Sequence, residues 1–305
     1  MNLSLKTGVF PDTWKQAKVT PLHKGGDTSV NNFRPIAILP ILSKIIEKVV
    51  HKHLYGYLSE HNLINENQSG FRPSHSIETC LINMINDWTS NMNCGNMTGV
   101  AFIDLRKAFD TVNHDILIRK LHKLSVSNSA LKWFKSNLSC RSQKVCFKDC
   151  LSESRKISTG VPQGSILGPL FFIIFINSMN KAISHGKISM YADDTTLSVS
   201  GNNVEEISTK LTSDLHGIMY WLKRNKLFLN TDKTNIMLIG TNGKLRNVNE
   251  DDFHVVINNE DLKAVKKAKC LGVLIDNELK WHKQVNGVTQ KVFCKLGLIR
   301  RLKPY

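Results

Sequence analysis

Tyr191-Ala192-Asp193-Asp194, with Ser189-Met190 before it and Thr195-Thr196-Leu197 after it, sets two adjacent carboxylates among β-favouring residues. The pattern predicts a hairpin with acid at its tip, because neighbouring side chains on a straight strand face opposite ways and only a tight turn lets both aspartates approach one place. Such a tip would attract a cation; an acidic surface turn with no such task is the alternative. A third acid, Asp104, ends the apolar run Val100-Ala101-Phe102-Ile103, which is short enough for a buried strand. If the two strands lie in one sheet, Asp104 meets Asp193 and Asp194, and three carboxylates at close quarters repel unless a metal joins them. Mg²⁺ suits this donor set, since it takes one or two carboxylates per ion and completes its octahedron with water and phosphate. The chemistry open to a pair of such ions is nucleotidyl transfer, one activating the attacking hydroxyl and the other steadying the leaving pyrophosphate.

Periodicity outlines the elements that would position these acids. From Ile41 to Leu58 apolar residues recur four apart in two adjoining rows, which predicts an amphipathic helix. Its His51 and His53 are two apart, on different faces, and so are not a ligand pair. After Phe71-Arg72 in a loop, Ile77, Leu81, Met84, Ile85 and Trp88 mark a second helix, and Asn91 to Gly99 reads as a linker into the strand that ends at Asp104. Asp110 lies beyond that strand and is expected to cap the turn at Asn113-His114-Asp115 rather than bind metal. Helices are expected near 115–124 and 130–138, and alternating Val145, Phe147 and Ile157 predict a hairpin with a polar turn at 149–154. The apolar run Leu170 to Ile176, with Pro169 in its first turn, predicts a buried helix, far short of the roughly 20 residues that cross a bilayer. Val204 to Leu229 is helical in period, Leu227 to Ile239 returns to strand around Asn230-Thr231-Asp232-Lys233, and Thr241 to Asp252 is a polar loop. Trp281 to Tyr305 predicts a helix whose Lys291, Lys295, Arg300, Arg301 and Lys303 could meet a duplex backbone.

A chain of 305 residues allows one large domain or two or three packed subdomains. Lys and Arg number 41 against 25 Asp and Glu, and a net charge of +16 favours nucleic acid or an anionic membrane surface as partner. The seven cysteines are scattered, with no Cys-x-x-Cys pair, which fits reduced thiols inside a cell. Residues 1–10 lack the apolar core of a signal peptide. A soluble intracellular chain is expected, in nucleus or cytoplasm.

Three stretches in order, Phe102-Ile103-Asp104-Leu105-Arg106-Lys107-Ala108-Phe109-Asp110-Thr111-Val112, Gly160-Val161-Pro162-Gln163-Gly164-Ser165 and Tyr191-Ala192-Asp193-Asp194, resemble the palm motifs of reverse transcriptases. The likeness is to the non-LTR retrotransposon (LINE-type) branch. Asn32-Phe33-Arg34-Pro35-Ile36, Gln68-Ser69-Gly70-Phe71-Arg72 and Cys270-Leu271-Gly272-Val273 extend it, in that family's order, from about Trp14 to about Trp281.

The resemblance implies an α/β (α+β) right-hand polymerase. Fingers would span 1–98 and 112–162, the palm 99–111 and 163–278, and the start of a truncated helical thumb 279–305. The palm would be a small antiparallel sheet backed by helices. The implied activity is RNA-directed DNA synthesis, extending a DNA primer on an RNA template with dNTPs. Two Mg²⁺ ions, or Mn²⁺ in their place, would sit on Asp104, Asp193 and Asp194. Lys24 and Arg34 would grip the triphosphate, as point charge and as fork. The backbone from Leu105 would seat the nucleotide, Phe109 would clash with a 2′-hydroxyl, and Gln163 would contact the nucleotide without adding charge. Lys233 would protonate departing pyrophosphate, and Arg72, Gly164, Leu271 and Gly272 would meet template and primer. Solvated surface positions for Lys24, Arg34 and Lys233, and a plain core position for Phe109, are the alternatives. A complete family member carries more thumb and usually an upstream endonuclease, so the chain is expected to be a fragment of a larger reading frame or a decayed copy. Two other readings stay open: a nucleic-acid-binding remnant that keeps the palm fold without activity, and an RNA-dependent RNA polymerase, against which Phe109 and the Ala-Asp-Asp turn argue.

Overall fold

Period-four apolar rows become helices and β-branched runs become strands in this computed structural model, which describes residues 1–26, 29–148, 150–249, 252–257 and 260–302. Asp27, Asp149 in the expected turn, Glu250 and Asp251 in the polar loop, and Lys303 to Tyr305 of the expected last helix lie outside the described residues. The first half runs α1 (Asn2–Thr7), β1 (Gln16–His23), β2 (Phe33–Ile38), α2 (Ile41–Glu60), α3 (Ile77–Asn93), β3 (Met97–Ile103), α4 (His114–Lys123), α5 (Asn128–Leu138) and β4 (Arg141–Phe147). There follow β5 (Cys150–Leu151), β6 (Arg155–Ile157), α6 (Leu167–Ile176), β7 (Lys187–Tyr191), β8 (Asp194–Gly201), α7 (Val204–Arg224), β9 (Asn235–Ile239) and α8 (Asn242–Leu245). The chain continues with β10 (Val256–Ile257), β11 (Glu260–Asp261), β12 (Lys263–Ala264), β13 (Lys267–Cys270), β14 (Val273–Asp276) and α9 (His282–Leu302).

These elements form two packed units. The first comprises Met1–Pro73, Leu105–Asn180 and Trp221–Phe228; the second comprises Ser74–Asp104, Lys181–Tyr220 and Leu229–Tyr305. By packing, α3 belongs with the sheet of β3 in the second unit, and residues 105–111 and 163–180 belong with the first.

In the first unit β1 pairs antiparallel with β2, from Lys18↔Ile38 to His23↔Phe33, and parallel with β4, from Gln16↔Ser142 to Val19↔Val145. Alternation sends Ala17, Val19, Ala37 and Leu39 into one small apolar cluster. The expected hairpin forms between β4 and β6, with Arg141 opposite Ile157. Val145 and Phe147 are nonetheless exposed, because β1 stops pairing at Val145 and only the two-residue β5 flanks the end of β4.

Helix α6 is apolar all round and buried all round, as its sequence requires. Its cap residue Ile166 offers no side-chain acceptor; Ser165 Oγ accepts from Leu167 N and Gly168 N, both at 3.1 Å, and Ile166 N still needs an acceptor. Glu47 of α2, fully buried, provides it: Oε2 accepts from Ser165 Oγ at 2.7 Å and from Ile166 N at 2.8 Å. Carboxylate at a helix N-terminus is also favoured by the helix dipole. Glu47→Ala is expected to cost about 3 kcal/mol, because buried donors lose their acceptor, and to lower the urea midpoint with little change in slope. A loss under about 1 kcal/mol would mean that Ser165 caps α6 without help from Glu47.

In the second unit the strand order is β12-β9-β3-β8-β7, antiparallel throughout except for β12 beside β9. This is the small antiparallel sheet backed by helices that the motifs imply. β3 is its middle strand, with six of seven residues buried, and both its faces are covered. Val100 packs with Leu81, Met84 and Trp88 of α3 and with Ala268, Cys270 and Ile275 of the β13–β14 hairpin. On the other face α7 lies so close that a Cβ on Gly99 would come 2.4 Å from Ile207 Cγ2. Helix α3 runs on to Asn93 and β3 starts at Met97, so the expected linker from Asn91 shrinks to Cys94–Asn96. Gly95 takes the turn at φ 75°, and Asn91 Nδ2 donates to Thr98 Oγ1 across it. Helix α7 ends at Arg224 and β9 begins only at Asn235, because a hydrogen-bonded turn occupies 230–234. Among the described residues, α9 has no buried residue, and no helix is long and apolar enough to cross a membrane.

Candidate active site

The acids of the second unit are positioned by strand register. β3 and β8 pair from Met97↔Gly201 to Ile103↔Thr195, so Asp104 and Asp194 each lie one residue beyond the last of these pairs. β7 and β8 pair from Lys187↔Ser198 to Tyr191↔Asp194, which leaves Ala192 and Asp193 as a two-residue hairpin turn. Ala192 has φ 56°, a left-handed value that costs a non-glycine residue energy and recurs where a turn must aim side chains. Asp193 and Asp194 are exposed and Asp104 is half-buried. The acid-tipped hairpin and its neighbouring acidic strand are therefore both formed, in one sheet.

Asp104 is gripped on three sides by the turn that carries Lys233, through Asn230 and Thr234, which the sequence analysis assigns no role. Its N–H donates to Thr234 Oγ1 (3.3 Å), its carbonyl accepts from Asn230 N (2.9 Å), and its Oδ2 accepts from Asn230 Nδ2 (2.7 Å). Asn230 also accepts, through its carbonyl, from Thr234 N and Thr234 Oγ1, both at 2.9 Å, so the turn is closed on itself. Only the turn composition of Asn230-Thr231-Asp232-Lys233 marked this segment in the sequence. Lys233 is exposed on the same turn. One oxygen of Asp104 is thus fixed while its carboxylate keeps lone pairs for a cation. Among the described residues no group of three or more His, Cys, Asp or Glu is drawn together tightly enough to hold a metal unaided. Paired carboxylates completed by phosphate and water are the donor set that Mg²⁺ accepts.

Beneath the hairpin, buried Thr196 and Cys270 share a hydrogen bond (3.8 Å). Burial, the main cause, and the nearby Asp194 charge push the Cys270 thiol up to about 11, against the pull of Thr196. Leu271 and Gly272 turn the β13–β14 hairpin with φ of 48° and 89°, the two left-handed residues of a type I′ turn. At pH 7.5 a maleimide should therefore label the exposed Cys94, Cys140, Cys150 and Cys294 well before Cys270. Mass spectrometry of the labelled peptides checks this, and early labelling of Cys270 would show that the hairpin opens readily.

The first unit carries the remaining candidates. Lys24, just past β1, and Arg34, opposite Leu22 on β2, are exposed. Phe109 lies in a 3₁₀ turn (Ala108–Thr111), stacked on Phe172 at 4.4 Å between ring centroids and met edge-on by Phe71 at 6.2 Å. Leu105 is buried. The Gly160–Ser165 loop is strapped on two sides: Gly160 N donates to Val112 O and Val161 N to Phe109 O, while Ala37 N of β2 donates to Gln163 O at 2.7 Å. Gly164 has φ 137° and lies so close to β2 that a Cβ would meet Ala37 O at 2.1 Å, so no other residue fits. Arg72 Nη1 donates to the carbonyls of Asn65 and Gln68, which makes it a brace of its own loop. Asp110 does not cap the following turn: Asn113 does so, accepting from Ile116 N at 3.1 Å, whereas Asp110 Oδ1 accepts from Gln163 Nε2 at 3.0 Å.

Residues 22–275 match the family described as Reverse transcriptase (RNA-dependent DNA polymerase). The chain belongs to this family. It is 29% identical over 310 residues to a probable RNA-directed DNA polymerase from transposon BS of Drosophila melanogaster, covering 99% of this chain and 34% of that protein. It is 27% identical over 306 residues to the RNA-directed DNA polymerase from mobile element jockey of the same fly, covering 97% of this chain and 32% of that protein. The chain spans about a third of the length of these curated relatives. The expected non-LTR retrotransposon branch is borne out by these relatives. Among solved structures, apo telomerase from Candida tropicalis superposes with a TM-score of 0.59 at 13% identity, over 89% of this chain and 50% of that one. At that identity the likeness shows the fold, a right-hand polymerase. Reverse transcriptases generally use divalent metal ions, and the aspartates of the second unit are chemically suited to them.

Proposed function

We propose that this reverse transcriptase chain carries out RNA-directed DNA synthesis, adding dNTPs to a DNA primer on an RNA template, as one part of a longer retrotransposon protein. The single observation that carries the reading is the register of β3, β8 and β7, which sets Asp104 against the Asp193-Asp194 hairpin in one sheet. Asp104 and Asp193 would be the principal ligands of two Mg²⁺ ions, with Asp194 assisting. When bound, these ions would activate the 3′-hydroxyl and offset the charge of departing pyrophosphate.

The remaining work falls to the chain's own groups. Asn230 fixes one oxygen of Asp104, so the carboxylate is oriented before substrate arrives. Lys24 and Arg34 would bind the triphosphate, and the Leu105 backbone with Gln163 would seat the nucleotide. Phe109, held by Phe71 and Phe172, would be the wall that excludes a 2′-hydroxyl. Lys233 would give a proton to pyrophosphate, and Arg72, Gly164, Leu271 and Gly272 would meet template and primer. On this reading the fingers span 1–98 and 112–162, the palm 99–111 and 163–278, and the thumb begins at 279. The net charge of +16 supports a nucleic-acid partner, and seven free thiols support work inside the cell.

Oligo(dT) extension on poly(rA) with Mg²⁺ tests the proposal, wild type beside Asp193→Asn. Wild type should extend and the variant should not; equal signal from both would leave a nucleic-acid-binding remnant as the better reading.

A further inference from the structure

Asp110 takes no part in the chemistry above, yet the first unit is built closely around it. Thr159 Oγ1 donates to its backbone carbonyl at 3.2 Å, and a Cβ on Gly160 would lie 2.7 Å from that same oxygen. Its side chain accepts from Gln163 Nε2 at 3.0 Å. Burial raises its pKa, while the Gln163 bond and the charges of Lys107 and Lys24 work the other way.

A glutamine amide can present either its nitrogen or its oxygen, and nothing in its own shape decides between them. An ionised carboxylate can only accept. The neighbour therefore makes the choice: Nε2 is committed to Asp110, and Oε1 is left as an acceptor. We propose that Asp110 is a positioning residue that locks the Gln163 amide with its oxygen presented to a hydrogen-bond donor of the incoming nucleotide. The proposal rests on the assignment of Gln163 to the nucleotide site. It adds a requirement that this assignment does not contain, since Gln163 could have been set by packing alone.

Two measurements on the full chain separate the proposal from the activity itself. In steady-state primer extension, Asp110→Ala should raise KM for dNTP about five- to tenfold with kcat within about twofold, the net size of one ordinary hydrogen bond. Asp110→Asn, whose Oδ1 can still accept from Nε2, should bring KM most of the way back. In a Gln163→Ala background Asp110→Ala should add nothing further, because the two changes act through one amide. Independent multiplication of the two effects, or an unaltered KM in Asp110→Ala, overturns the proposal. The second measurement needs no turnover. The side-chain amide pair of Gln163 in a ¹⁵N–¹H spectrum, identified by its disappearance in Gln163→Ala, should shift in Asp110→Ala and stay near its wild-type position in Asp110→Asn. An unmoved pair in Asp110→Ala overturns the proposal even where primers extend, whereas a shifted pair in a chain that extends no primer upholds the lock and rejects the polymerase reading.

Discussion

Primer extension by the Asp104→Asn chain is expected to fall about a thousandfold or more, a loss of roughly 4 kcal/mol of transition-state stabilisation. The substitution removes one negative charge and almost no volume. An asparagine oxygen can still accept from Asn230 Nδ2, and the backbone bonds to Thr234 and Asn230 do not involve the carboxylate, so the turn that grips residue 104 should persist. What is lost is a hard anionic ligand where a divalent cation needs one. The thermal midpoint should therefore stay within a few degrees of wild type while single-turnover extension collapses. A variant with half of the wild-type rate would mean that Asp104 is structural, and that the acid-tipped hairpin lacks its partner.

Phe109→Val should relax the choice of sugar, improving rNTP use relative to dNTP by about 10- to 100-fold in kcat/KM. The ring is pinned rather than loosely placed: its face lies on Phe172, 19° from parallel, and Phe71 meets it edge-on. A pinned aromatic is a hard wall, since moving it disturbs two further rings, whereas valine leaves an opening that neighbouring side chains fill only in part. The variant should also lose about 1–3 kcal/mol of stability from the broken stack. Paired measurements with rCTP and dCTP decide the matter. Unchanged discrimination would return Phe109 to the role of a core aromatic.

The parts legible in the sequence were those whose cause is local. Four-residue apolar rows gave α2 and α3, an uninterrupted apolar run gave the buried α6, and an Asp-Asp pair between β-formers gave the β7–β8 hairpin. Contacts made over long separations were not legible. Nothing local singles out Glu47, which helps to cap α6 more than 100 residues later. Asp110 read as a local cap because Asn113 and the next helix lay nearest in the sequence, and nothing local pointed to Gln163. Asn230 was visible only as a strand breaker, because its bond to Asp104 depends on which strands become neighbours. The Asn-rich stretch after α3 misled for the opposite reason. Turn composition outweighed the helix in the reading, but tertiary packing carried α3 through to Asn93.

Anomalous diffraction from crystals grown with Mn²⁺, a chain-terminated primer on its template and a matching dNTP tests the central claim most directly. Manganese peaks are expected within about 2.5 Å of carboxylate oxygens from both Asp104 and Asp193, with the nucleotide phosphates completing the shell. Peaks bound elsewhere, or carboxylates of Asp104 and Asp193 held more than about 10 Å apart around a correctly bound nucleotide, would contradict the account.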